Sequence, residues 1–154
     1  MLLDYFGMVK DFMRRGVAIG ARQTIGNLLD PKFADTELRV KLIIEEAMEF
    51  AEACGFVVRE AGTPTNPTWE LVRSGTPNLV LAIDALCDLL YVVFGAFVAF
   101  GLRPAPYFEE VHASNMTKVG PDAVVREDGK IIKPPSFRPP DLKKILDTQI
   151  AAGK

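Results

Sequence analysis

A chain of 154 residues, 49% hydrophobic and with a net charge of −2, has the size of one domain with an interior large enough for a real core. Its lysines and arginines are scattered and form no basic stripe, which argues against a nucleic-acid binder. One histidine and two cysteines, Cys54 and Cys87, both in apolar helical pattern, exclude a Cys/His zinc site and suggest a reducing compartment.

The first stretch, MLLDYFGMVKDFMRR, places Leu2, Leu3, Phe6, Val9, Phe12 and Met13 at helical spacing, and Gly16 ends it. Acids inside this apolar run and the lack of a small-residue cleavage site make it a core helix rather than a signal peptide, so the expected location is the cytoplasm. Gly16 to Ala34 reads as an irregular connection, whose Arg22, Gln23 and Asn27 could reach a ligand. Asp35 then caps a helix to about Cys54, with Leu38, Leu42, Ile43, Ala47, Phe50 and Ala51 as its apolar face. Its polar face carries Glu45, Glu46, Glu49 and Glu52. Such a face is ordinarily a solvated one, and Glu37 with Lys41 is an ordinary helical ion pair.

Gly55 to Asn78, rich in Gly and Pro, reads as a loop with a short helical turn at Trp69 to Arg73. Trp69 could stack on a nucleobase or cover core. Pro77 to Gly101 follows, PNLVLAIDALCDLLYVVFGAFVAFG, apolar on every side of a helical wheel and charged only at Asp84 and Asp88. A membrane span of roughly 20 residues is the first alternative. Two central aspartates would each cost ~2.5–3.5 kcal/mol on insertion, so a buried bundle helix without a membrane is expected. Buried carboxylates then need a cation, an Arg or Lys partner, or a changed protonation state. Covering such a helix on all faces calls for a second copy of the chain.

Pro104 or Pro106 starts another helix through Lys118, with Phe108, Val111, His112 and Met116 at core-like spacing. Val124 to Ile132 is a hairpin signal around Asp128-Gly129, and Pro134, Pro135, Pro139 and Pro140 make a stiff connection to a last helix capped by Asp141 and ending near Ala151. The expected fold is all-α: a single domain over 1–154, a helical bundle with a short C-terminal β-hairpin and tail over 121–154.

If the two acid-bearing helices pack antiparallel, Glu45, Glu46, Glu49, Asp84 and Asp88 can line one pocket. Five carboxylates repel one another unless hard cations neutralise them, and oxygen-only ligands suit Mg²⁺, with Mn²⁺ a possible substitute. Adjacent metals of this kind polarise phosphoryl oxygens and activate water, so the implied class is phosphoryl or nucleotidyl transfer to water.

KLIIEEAMEFAEA followed by AIDALCDLLYVVFG resembles the MazG-like all-α nucleoside triphosphate pyrophosphohydrolases, a group that includes dimeric dUTPases. EVHASNMTKVG and REDGKIIKPPSFRPPDL extend the resemblance toward a phage and bacterial branch, over Thr36 to Leu146 apart from the Trp69 loop. The resemblance implies a homodimer or homotetramer sharing core helices. It also implies Mg²⁺-dependent cleavage of a nucleoside triphosphate to monophosphate and pyrophosphate. By the same resemblance Glu45, Glu46, Glu49 and Asp88 match metal ligands, Glu46 and Glu49 are the catalytic candidates, and Glu46 aligns or deprotonates the water. Asn115 and Lys118 match an NxxK element that meets the nucleotide, and Lys133 is a further phosphate contact. One departure stands out: the wider pattern has an acid where this chain has Ala85, and Asp84 stands in. Candidate substrates are dGTP, dUTP or dCTP; the alternatives are a phosphoribosyl-ATP pyrophosphohydrolase and a non-catalytic, cation-binding helical oligomer.

Overall fold

The computed structural model describes residues 4–16, 34–63, 66–120 and 122–152. In chain order these form α1 (Tyr5–Gly16), α2 (Ala34–Ala53), β1 (Phe56–Thr63), β2 (Asn66–Arg73), α3 (Leu79–Ala99), α4 (Pro104–Met116), β3 (Val124–Val125), β4 (Ile131–Ile132) and α5 (Leu142–Ala151). The expected connection with Arg22, Gln23 and Asn27, and the expected core residues Leu2 and Leu3, lie outside the described residues.

The spine is the pair α2 and α3, with α1 laid on α3. The pair is antiparallel, because the Asn78 amide at the start of α3 donates to the Ala53 carbonyl at the end of α2 (2.8 Å), while Gly95 near the far end lies beside Arg39. α3 starts where the Asn78 side chain accepts from the amides of Val80 (3.0 Å) and Leu81 (3.2 Å). It stops at Gly101, whose φ of 69° only glycine adopts cheaply; Leu102 and Gly101 donate back to Phe97 and Val98 and close the last turn. Val9 and Met13 of α1 form a core with Ala99, flanked by Phe94, Val98 and Phe100. Phe6 meets Phe94, and Phe12 meets Tyr91, both edge to face.

α3 departs from the sequence expectation in one respect: it is not buried all round. Its small residues, Ala82, Ala85, Gly95, Ala96 and Ala99, are the buried ones. The large ones, Leu79, Val80, Leu81, Ile83, Leu86 and Leu90, face outward, Leu79 at 76% exposure. Small side chains let α1 and α2 approach closely on one side, and among the described residues no other helix packs on the opposite side. Asp84 and Asp88 are therefore exposed, not buried as expected. α3 is long and apolar enough to cross a membrane by length and composition alone; its two aspartates oppose that reading.

Other expectations are corrected as well. Phe56 to Arg73 is a β-hairpin, paired from Phe56↔Arg73 to Thr63↔Asn66, and Trp69 lies on a strand rather than in a helical turn. Gly55 makes the sharp exit from α2 with φ 81°, where an added Cβ would meet the Gly75 carbonyl oxygen at 2.6 Å. Core positions also shift: Leu38 and Ala47 of α2 are exposed while Arg39 is buried, and Phe108, His112 and Met116 of α4 are exposed while Ser114 is buried. α2 begins one residue before Asp35 instead of being capped by it. α4 packs on α5 rather than deep in the α1–α2–α3 group, and its Tyr107 ring leans on Phe97. The β3–β4 hairpin turns at Gly129 (φ 82°), with the Asp128 side chain accepting from the Lys130 amide (3.1 Å), and Asp141 caps α5 through the Lys144 amide (3.1 Å), as the sequence indicates.

Candidate active site

The antiparallel pairing of α2 and α3 sets the acids in register. Glu46 lies two turns after Arg39 on α2, and Asp88 lies two turns before Gly95 on α3, so contact of Arg39 with Gly95 carries Glu46 toward Asp88. The Glu46 carboxyl is held above its ordinary range, first by partial burial and then by repulsion from Glu49, Asp88, Glu45 and Asp84, in that order. All five sequence-named acids thus share one electrostatic neighbourhood. Glu45, Glu49, Asp84 and Asp88 are exposed, and Glu46 is half-buried. Among the described residues no three His, Cys, Asp or Glu side chains converge tightly enough to enclose an ion.

Ala85, which stands where the wider pattern has an acid, is 5% exposed and packed into the helix seam. A carboxylate there would be pressed between α2 and α3. One residue earlier, Asp84 stands at the open edge of the same seam, within a turn of Asp88.

A second group forms at the end of α4. Lys118 Nζ donates to Asn115 Oδ1 (2.7 Å), which orients the Asn115 amide and, among the described residues, leaves its NH₂ free to donate to a ligand. Lys118 and Lys133, distant in sequence, both stand over the ring of Phe137, at 5.2 and 4.9 Å from its centre. All three sequence-named binding residues are therefore gathered in one place. The principal helix contacts are α2 on α3, α1 on α3 and α4 on α5, so the acids and this cationic group ride on different packing units.

A family model described as phosphoribosyl-ATP pyrophosphohydrolase matches residues 22–115, more than half of the chain. The chain belongs to that family. Its members are pyrophosphohydrolases within the MazG-like all-α superfamily, so the protein is an enzyme that acts on a nucleotide and releases pyrophosphate. No curated protein matches the chain. The family match spans both acid-bearing helices and α4 up to Asn115; Lys118, Lys133 and the tail lie beyond it.

The donor chemistry of the carboxylate set, oxygen only and of one sign on one seam, is the kind that suits a hard divalent cation. Sequence reasoning missed two features of the site. Arg39 is buried on the α2–α3 seam with its Nε unbonded, where leucine periodicity pointed to Leu38 instead. Phe137 is the other: an aromatic between Lys133 and Arg138 is the signal the proline-rich tail offers for it.

Proposed function

We propose that this protein is a Mg²⁺-dependent hydrolase of a nucleoside triphosphate, dNTPs included, yielding the monophosphate and pyrophosphate. The observation that carries the reading is the crowding of Glu45, Glu49, Asp84 and Asp88 around Glu46 in a chain of the pyrophosphohydrolase family. Glu45, Glu46, Glu49, Asp84 and Asp88 would hold Mg²⁺, or Mn²⁺ in its place, which when bound polarises the phosphates and lowers the pKa of water. Glu46, the half-buried member, aligns the attacking water and takes its proton. Lys118 and Lys133 offset the charge of the phosphate chain, and the free NH₂ of Asn115 donates to the sugar or base.

A second reading rests on the description of the matched family: the substrate is phosphoribosyl-ATP, cut at the same bond. A panel of dNTPs, NTPs and phosphoribosyl-ATP, run with Mg²⁺ and with products separated, decides between them. Rapid turnover of dGTP, dUTP or dCTP supports a pool-controlling role, as in the phage and bacterial branch; turnover of phosphoribosyl-ATP alone supports the second reading.

The working form we propose is a cytoplasmic homodimer or dimer of dimers. The outward large residues of α3 supply the contact, and a second copy can bring its cationic group to the first copy's acids.

A further inference from the structure

The tail after β4 does not simply trail along the surface. Arg138 is fastened to the end of α4 from both its backbone and its side chain. Its carbonyl accepts from the hydroxyl of Ser114 (2.7 Å), and its amide donates to Thr117 Oγ1 (3.0 Å), which itself donates to the Ser114 carbonyl (2.7 Å). Its guanidinium reaches Glu110 Oε1 (2.5 Å), and the same oxygen accepts from the Asp141 amide (2.9 Å). Ser114 is 2% exposed, the most buried side chain in the described structure, so this clasp is closed to water at its centre. The neighbour of Arg138 is Phe137, whose amide donates to the Pro134 carbonyl (3.0 Å) and bends the proline segment into a turn. The turn carries Lys133 back over the ring that the clasp holds against Lys118.

Two ammonium groups beside one ring are unusual company. They repel each other, and the electron-rich face of an aromatic ring is what offsets that repulsion without consuming an N–H donor. Lys118 uses one donor on Asn115, and Lys133 makes no hydrogen bond or ion pair among the described residues, so most of their donors remain available for an oxyanion. A fixed pair of cations matches a polyphosphate better than two free lysines do, because the ordering cost has already been met in the fold.

We infer that Phe137 is a positioning residue: its ring, set by the Glu110–Arg138–Ser114–Thr117 clasp, gathers Lys118 and Lys133 into one seat for the phosphate chain of the substrate. This rests on the proposed reading that the two lysines meet phosphate. The test uses the full-length protein and inorganic pyrophosphate as the probe, with affinity measured by calorimetry and folding checked by the unfolding midpoint. Phe137→Leu should weaken pyrophosphate binding by about threefold to tenfold, the order expected when two ring contacts to cations are lost. Phe137→Tyr and Phe137→Trp should restore it, and Phe137→Leu should add nothing in a Lys118→Ala/Lys133→Ala background. If the lysine variants weaken binding but Phe137→Leu does not, or if Tyr and Trp fail to restore it, the inference is overturned while the phosphate reading stands. If the lysine variants bind pyrophosphate as tightly as the unaltered protein, the phosphate reading itself fails and takes the inference with it.

Discussion

Glu49 and Asp88 occupy facing helices, and each is exposed, so changing either alters charge with little disturbance of packing. Glu49→Gln keeps the shape and removes one anionic donor. Its turnover should fall by more than the ~10–100-fold typical of losing an outer-shell partner, with the unfolding midpoint unchanged. Asp84→Asn should lie inside that range and recover in part with excess Mn²⁺, because Asp84 stands at the edge of the seam that Ala85 fills. Wild-type rates for a folded Glu49→Gln protein would remove these acids from the mechanism. Gly95 offers a test of the seam itself. A Cβ there would lie 3.4 Å from Arg39 Nη1 and 3.6 Å from Met13 Sδ, ordinary contact distances. Gly95→Ala should therefore be neutral or gain up to ~1 kcal/mol from helix propensity. Gly95→Leu should cost ~1–3 kcal/mol by forcing α1 and α2 away, read by denaturant unfolding.

The α2–α3 pair carries the acids, while the end of α4 and the tail carry the cations, and the two depend on different chemistry. The α4–tail clasp runs through Glu110, whose carboxyl is held below its ordinary value of 4.5, chiefly by the hydrogen bond from Arg138 and then by that from the Asp141 amide. A depressed carboxylate contributes stability that is present above its unfolded pKa and is lost as pH falls through its folded pKa. Glu110→Gln should therefore lower the unfolding midpoint at pH 7, and the gap from the unaltered protein should close as pH drops below 4.5 into the depressed range. A gap that persists unchanged at the lowest pH would mean that shape, not charge, gives Glu110 its role. At this scale the sequence was legible where local rules decide. The Asp141 cap, the Gly101 stop and the Asp128-Gly129 turn are set by residues within one turn of each other. The hairpin of β1 and β2 is masked by its Gly and Pro residues, which mimic a loop. The β-branched and aromatic residues of Phe56-Val57-Val58 and Trp69-Glu70-Leu71-Val72 are the stronger signal. Core positions on α2 and α4 were misplaced for a different reason. Periodicity marks an apolar face without saying whether the covering element belongs to the same chain.

Seen whole, one protomer leaves its most apolar helix half covered. Leu79, Val80, Leu81, Ile83, Leu86 and Leu90 are each more than two-fifths exposed. Because these side chains are already partly covered, burying the rest is worth roughly half of the ~1.5–3 kcal/mol of a full burial apiece, to be set against ~4–15 kcal/mol for association. A symmetric contact would count every residue twice, which favours the proposed pairing. Light scattering at micromolar concentration should give a dimer or tetramer, and Leu86→Asp should shift it toward monomer with loss of activity. A stable, active monomer of the unaltered chain would contradict the proposed assembly. The acid cluster was legible in the sequence because EExxE and the two aspartates sit on uninterrupted helices. The gathering of Lys118 and Lys133 was not, because it depends on a tail fold spanning many residues.

Hydrolysis in ¹⁸O-labelled water, with one turned-over nucleotide and mass analysis of both products, reaches the chemistry itself. Attack at the α-phosphorus places the label in the nucleoside monophosphate and leaves the pyrophosphate unlabelled, which is the predicted result. Label in the pyrophosphate, or inorganic phosphate as the first product released, would contradict it.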